Sequence, residues 1–347
     1  MMAGLFKDGL ASMAPANSAM VMSAGIIAIA LRNAGLAGSA HAMSLICAFL
    51  WATNMSLMVL RVFVFPRQVW ADLANPARSP GFLTLVASTN VFGSCCIVVL
   101  DKPNLAAMLL CFGSGLWLVL LSGVMFALFV SDNKLPLEKG VNGAWLLLTV
   151  STQSIVVLGA ILTEAAPFPS GVLGMTMLFL VGTALYFMVI PLIIYRLFFK
   201  PLSPAELSAT FWINAGSMAI ICLAGIRLLP ILGLCPQLSD LAAPVKALAV
   251  GSWALATFWV PCLILLGIWR HVVKRYPFRY GVEYWSIVFP LGMYTVCTQA
   301  IHGLYPFWFE ALAYLGLMVA VTAWCVVCIS FCLCWVTKVR CSIGNRS

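Results

Sequence analysis

The sequence predicts an all-α integral membrane protein with ten transmembrane helices, paired as five helical hairpins around a central pore. Composition is the first reason. Of the 347 residues, 63% are hydrophobic and 8% are charged, whereas a soluble domain carries about one quarter charged residues. Length is the second, because ten apolar stretches reach the ~20 residues a helix needs to cross the hydrocarbon core. The third is an alternation. Five stretches without Asp, Glu, Lys, Arg or His through their middles are studded with Ser, Thr, Gly and Asn, and each is followed by an apolar stretch with fewer hydroxyls. That pattern suggests that the more polar helix of each pair faces a shared axis.

In chain order the polar, odd-numbered spans are expected at 15–31, 82–100, 144–163, 211–226 and 284–301. The even-numbered spans are expected at 41–65, 105–130, 172–198, 245–268 and 309–336. No small-residue cleavage site follows the first span, so it reads as a retained helix rather than a signal peptide. The longest connections, 66–81 and 269–282, are too short to fold on a core of their own. The chain 1–347 is therefore read as a single transmembrane domain with short cytoplasmic tails at 1–12 and 337–347.

Orientation follows from the placement of Lys and Arg. Of the 19 basic residues, all but Arg32, Lys102, Arg227 and Lys246 fall on the side that holds both termini, which predicts cytoplasmic N and C termini. The formal charge of +9 is then mainly a topology signal, and no nucleic acid is expected as a partner. Within the basic side, RHVVKRYPFR at 270–279 has a second reading, the recruitment of anions or anionic lipid. Membrane lipid is in any case an expected partner.

Most of the 13 cysteines lie in apolar spans, where a thiol behaves as a small hydrophobe. Cys325, Cys328, Cys332 and Cys334 include a C-x-x-C, but they share one apolar helix without a His or a second C-x-x-C. No metal site and no cofactor are expected. An intramembrane enzyme would need a base beside a nucleophile or a second acid. His41 and His302 sit near the outward helix ends and His271 in the basic loop, so no catalytic residues are expected.

Aligning the odd spans exposes a weak internal repeat of the kind found in transporters. PGFLTLVASTNVFGS begins at Pro80, NGAWLLLTVSTQSIVVLG at Asn142, TFWINAGSMAIICLAG at Thr210 and EYWSIVFPLGMYTVCTQ at Glu283, while APANSAMVMSAGIIAIA from Ala14 fits more loosely. Each places hydroxyl or small residues near its middle. Such residues serve close helix packing in many membrane proteins, yet their concentration on alternate spans points to Ser88, Thr89, Asn90, Ser151, Thr152, Asn214, Ser217 and Thr295 as candidate pore-lining groups. All ten acids, from Asp8 to Glu310, fall in loops, tails or helix ends. A buried carboxylate relay and an acid-ringed cation pathway are therefore disfavoured. Neutral dipoles along an axis suit a small anion. Phe289-Pro290 is the sharpest local feature: proline withdraws a backbone donor and should kink the ninth span, and the adjoining phenylalanine could plug the axis.

EYWSIVFPLGMYTVCT at 283–298, SPGFLTLVASTNVFGS at 79–94, PLEKGVNGAWLLLTVSTQS at 136–154, FWINAGSMAI at 211–220 and FWVPCLILLGIWRH at 258–271 together resemble the tellurite-resistance/dicarboxylate transporter family. The plant slow anion channels and the yeast malic acid transporter are related to it. The resemblance implies a bacterial inner-membrane homotrimer, each protomer with its own pore of five kinked inner helices inside five outer ones. It implies transport of small anions, with C4-dicarboxylates such as malate or succinate the leading class and sulfite or tellurite efflux, or an inorganic anion channel, the alternative. It also implies a gate at Phe289 next to Pro290, with Gly25 the nearest match to a small residue facing it.

Overall fold

In the computed structural model, which describes residues 2–132, 134–305 and 309–344, ten helices are long and apolar enough to cross a membrane, and no strand occurs among the described residues. We number them span 1 (Pro15–Asn33), span 2 (Ala37–Val64), span 3 (Ser79–Val98), span 4 (Pro103–Val130), span 5 (Gly143–Ala165), span 6 (Pro169–Phe199), span 7 (Ala209–Leu232), span 8 (Pro236–Val273), span 9 (Val282–Leu304) and span 10 (Phe309–Thr337). The segment expected as an N-terminal tail holds a short helix, Met2–Ala11. The helix of span 10 continues to Gly344, through most of the stretch expected as a C-terminal tail, and residues 345–347 lie outside the described part.

Odd and even spans differ sharply in burial. Between 61 and 89% of the apolar stretch of each odd span is buried, against 17 to 39% for the even spans. Each odd span packs on the even span that follows it and on two other odd spans, in the closed order 1, 3, 5, 7, 9 and back to 1. The even spans lie outside this ring and turn apolar side chains such as Phe49, Phe63, Met108, Phe129 and Met188 outward. That division follows the alternation in the sequence. Helices whose flanks all meet protein can carry hydroxyls and amides, while those facing lipid cannot leave such groups unsatisfied.

All five odd spans start alike, with a 3₁₀ turn that leads into an α-helix: Pro15–Ser18, Ser79–Leu83, Gly143–Leu146, Ala209–Trp212 and Val282–Tyr284. Tight turns of this kind are common at helix N-termini. Proline, with its fixed φ and missing N–H, suits the opening positions taken by Pro15 and Pro80. The five turns touch one another in the same cyclic order as their helices. The tightest approach is at Gly143, where a Cβ would fall 2.0 Å from the carbonyl oxygen of Thr210, so only glycine lets spans 5 and 7 meet through backbone. A similar approach occurs deeper, where a Cβ on Gly216 would lie 2.9 Å from Cγ of Pro290. The α-helix of span 9 runs unbroken from Trp285 to Leu304 with Pro290 inside it. Pro290 offers no N–H to the carbonyl of Ser286 one turn back.

Where the even spans end, beside the five leading turns, three arginines are buried. Arg61 at the end of span 2 is 1% exposed; it donates to Asp72 Oδ2 at 2.6 Å and to the Ala11 carbonyl at 3.2 Å. Asp72, on the short helix Pro66–Leu73, also accepts from Arg78 Nε at 2.6 Å. Arg61 and Asp72 together tie the N-terminal helix, the end of span 2 and the entry to the leading turn of span 3. Arg196 at the end of span 6 donates to the Val141 carbonyl and lies 5.6 Å from the Phe211 ring centroid, reaching both span 5 and span 7. The third is Arg270, at the end of span 8.

Removing one partner of a buried ion pair strands the other charge, at a cost of about 3–5 kcal/mol, whereas an exposed partner contributes under about 1 kcal/mol. Asp72→Asn should therefore lower the melting temperature of the detergent-solubilised protein far more than Arg78→Gln, since the Arg78 side chain is 43% exposed. Equal shifts for the two variants would show that Arg61 does not depend on Asp72.

Candidate functional site

A narrow cavity of about 20 Å³ lies on the axis of the ring near the leading turns. Every odd span contributes to its wall and no even span does: Ala16, Ala19 and Met22 from span 1, Thr84 from span 3, Ala144 and Leu147 from span 5, Thr210 and Ile213 from span 7, Ser286 and Phe289 from span 9. In spans 1, 5, 7 and 9 the residues recur in steps of three, which keeps them on one face; span 3 contributes Thr84 alone. Small and hydroxyl side chains (Ala16, Ala19, Thr84, Ala144, Thr210, Ser286) share the wall with bulkier apolar ones (Met22, Leu147, Ile213, Phe289). Phe289 is 3% exposed. A space of this size holds about one water molecule, so these side chains leave little room on the axis.

The helix ends at this cavity agree in sign, although Glu283 stands on the leading turn of span 9. The five odd helices run in one direction, so their N-terminal ends, with unpaired N–H groups and the positive ends of their dipoles, meet here. Four of the five leading turns have no side-chain cap; at the fifth, Asn142 accepts the Ala144 N–H at 2.8 Å. No acidic side chain lines the cavity. The Thr84 hydroxyl donates to the Gly81 carbonyl at 2.8 Å, and Thr210 shares a hydrogen bond of 2.6 Å with Ser208. Both residues line the axial wall.

The hydroxyls and amides in the middles of the odd spans are placed differently from the expectation of a hydroxyl-lined axis. Trp51 of span 2 donates its indole N–H to Thr89 of span 3 at 3.0 Å. Trp117 of span 4 does the same to Thr152 of span 5, and Trp253 of span 8 to Thr298 of span 9, each at 3.0 Å. Between spans 6 and 7 the donor is Tyr186 and the acceptor Asn214 Oδ1, at 2.8 Å. Each threonine passes its own proton to the carbonyl four residues back, at 2.7 to 2.8 Å. These side chains face the outer helices. An indole N–H at membrane depth finds no acceptor in lipid, so a hydroxyl or amide on the neighbouring helix supplies one.

Other candidates also face neighbouring helices. Asn90 donates to Ser154 of span 5 at 3.1 Å, and its amide closes against Gly113 of span 4. Ser217 points to the Leu146 carbonyl of span 5 at 3.5 Å, and Thr295 abuts Gly316 of span 10. A Cβ on Gly25 would meet Val91 and Cys47, which turns its open side to spans 3 and 2; Met22 is the span 1 residue that shares the cavity with Phe289. Ser88 and Ser151 bond only to their own helices, to the Leu85 and Leu148 carbonyls. They stand one helical turn beyond Thr84 and Leu147, which line the cavity. The residues that sequence reasoning missed, Thr84, Thr210 and Ser286, lie at the openings of the aligned repeats. The signal there was the recurring small or polar residue beside an aromatic.

At the opposite end of the ring, Asn33, Arg227, Gln299, His302 and Glu310 surround a polar hollow of about 400 Å³. Asn33 donates to Gln299 Oε1 at 3.0 Å, Gln299 donates to the Ala30 carbonyl at 3.0 Å, and Arg227 stands 4.0 Å from Glu164. The hollow joins the ends of spans 1, 7 and 9 to the start of span 10.

A family model described as a voltage-dependent anion channel matches residues 12–332. An uncharacterized membrane protein of Mycobacterium tuberculosis, found in two strains, is 39% identical over 112 residues, 32% of this chain and 56% of the relative. The match thus spans little more than half the length of these mycobacterial proteins. Two uncharacterized transporters of Methanocaldococcus jannaschii align more broadly. One is 25% identical over 76% of this chain and 75% of its own length, the other 24% identical over 74% and 72%.

The outward-facing threonines yield a double-mutant cycle. Interhelical hydrogen bonds in membranes are worth roughly 0.6 kcal/mol, reaching about 1.7, so Trp117→Phe and Thr152→Val should couple by that amount in stability. Anion flux through Thr152→Val should stay at the wild-type level. Altered flux with no coupling would place Thr152 on the axis.

Proposed function

Because this chain belongs to the voltage-dependent anion channel family, a group that moves anions across membranes, we propose that it passes small anions along the axis of the odd-span ring. C4-dicarboxylates such as malate or succinate are the leading substrate class. The observation that carries this reading is the axial cavity: five spans contribute to it, no charged side chain lines it, and Phe289 lies in its wall. A helix terminus stabilises a nearby charge by about 0.3–1 kcal/mol. Five N-termini converging on one site favour a partly dehydrated anion and disfavour a cation. Thr84, Thr210 and Ser286 replace part of the anion's hydration at the cavity, and Ser88 and Ser151 continue the polar path one turn beyond Thr84 and Leu147.

Phe289 is the gate in this reading. Its ring, with Met22, Leu147 and Ile213, forms an apolar constriction that bars a hydrated ion. Pro290 packs against Gly216 and leaves the Ser286 carbonyl without its helical partner, so the helix can flex beside the gate. We further propose a homotrimer in a bacterial cytoplasmic membrane with both termini inside, an arrangement in which the leading turns form the cytoplasmic mouth and the hollow at Arg227 the outer one.

The test is flux in proteoliposomes, comparing malate, succinate, sulfite, nitrate and chloride with and without an imposed pH gradient. Electrogenic passage without the gradient, with malate or succinate preferred, is the expected outcome; passage of inorganic anions alone would overturn the substrate class. Phe289→Ala should raise flux by about tenfold or more, equivalent to a barrier lowered by at least ~1.4 kcal/mol. Wild-type flux from Phe289→Ala at matched incorporation would remove Phe289 from the gate.

A further inference from the structure

We propose that a cleft between spans 7, 8 and 9, on the outer surface beside the leading turns, binds one anionic phospholipid, with its phosphate on Arg270 and an acyl chain along the apolar wall. The cleft has a volume of about 360 Å³, and its walls include Phe211, Trp212, Leu263, Ile268, Phe278 and Ile287. It is separate from the axial cavity, with which it shares no lining residue. Its rim opens to the lipid-facing side, where Ile264 and Ile268 are about half exposed and Val272 more so.

Arg270 is the observation that points to a ligand. It is 7% exposed, it lines the cleft, and its buried Nε has no hydrogen-bond partner. The other two buried arginines of this end each hold an acceptor: Arg61, whose Nε and Nη1 are also unpartnered, places Nη2 on the Asp72 carboxylate, and Arg196 donates to the Val141 carbonyl. Among the described residues, Arg270 has no ion pair and no side-chain hydrogen bond; its guanidinium lies 4.7 Å from the Tyr276 ring centroid. The sequence holds no acid between Asp240 and Glu283. A guanidinium taken out of water without an anion is costly, and a phosphate oxygen pair matches its fork of donors.

The backbone is shaped around this side chain. Span 8 leaves the α-helical path in a π turn over Trp269–Val273, which carries Arg270, and such turns gather at functional sites. Arg275 then takes a left-handed conformation, φ 51°, unusual for a residue other than glycine. The chain folds back so that the Tyr276 N–H donates to the Arg270 carbonyl at 3.0 Å. Lys274, Arg275 and Arg279 stand on this returning loop without an ion pair among the described residues, a basic cluster of the kind that collects anionic headgroups. A soluble phosphate would need only the basic loop. The apolar wall below Arg270 selects a molecule with a tail.

Native mass spectrometry of the full chain, delipidated in mild detergent and titrated with phosphatidylglycerol or phosphatidylcholine of identical chains, tests the site. We expect one phosphatidylglycerol per chain retained at least tenfold more tightly than phosphatidylcholine, with the preference lost in Arg270→Gln. Gly267→Leu is the second variant. It leaves Arg270 in place, a Cβ at Gly267 meets nothing within 4 Å, and the leucine would occupy the cleft; it should also release the bound lipid. Equal retention of the two lipids, or a phosphatidylglycerol preference unchanged in both variants, would overturn the proposal. So would Arg270-dependent binding of inorganic phosphate with no preference between the lipids.

Discussion

The structure depends on the scarcity of hydrogen-bond partners inside a bilayer. An indole or phenol on an outer helix carries a proton that lipid cannot accept. Four times around the ring that proton goes to the next inner helix: Trp51 to Thr89, Trp117 to Thr152, Tyr186 to Asn214 and Trp253 to Thr298. Each bond fixes the rotation of an inner helix about its own axis. Once Thr152 faces Trp117, helical geometry turns Leu147 and Ser151 toward the centre. The composition of the axial wall is therefore a consequence of contacts made on the far side of the same helices.

This constraint also explains what the sequence disclosed and what it hid. Ten spans and their alternation in polarity were legible, because charge-free stretches of sufficient length have few other uses. The position of Phe289 was legible from the Phe-Pro pair and the family resemblance, and it lies in the axial wall. The orientation of individual hydroxyls was hidden. A threonine that accepts from an outer tryptophan and one that faces an axis look identical in a sequence, and the acceptor role depends on a residue 35 to 45 positions away. Gly25 shows the same difficulty: its smallness accommodates Val91 and Cys47 rather than an opening on the axis.

Charge is distributed with similar economy. The inner ring carries none through its middle, while the end beside the leading turns holds three buried arginines with three different surroundings. Arg61 has a carboxylate, Arg196 a backbone carbonyl and an aromatic face, and Arg270 an aromatic face alone. Arg196 bridges the third and fourth hairpins and Arg61 holds the N-terminal helix to the segment linking spans 2 and 3, so both fasten the ring at the end where its cavity lies. Since the backbone of span 5 touches that of span 7 there through Gly143, small displacements of one leading turn are transmitted directly to its neighbours.

The cyclic order of the inner helices has a consequence for biosynthesis. Span 1 lies against span 9, where Ser23 donates to the Trp285 carbonyl at 3.2 Å across 262 residues of chain. During synthesis span 1 thus waits for span 9 before one of its flanks is covered, and contacts of such separation form slowly. The tenth span, which flanks this seam, also breaks the radial pattern: the indole N–H of Trp324 is buried without a partner. Assembly should therefore proceed as a growing arc of hairpins whose final act is circularisation. Until then the half-built arc exposes polar flanks to lipid, the stage at which membrane-insertion chaperones and quality-control proteases would have most to recognise.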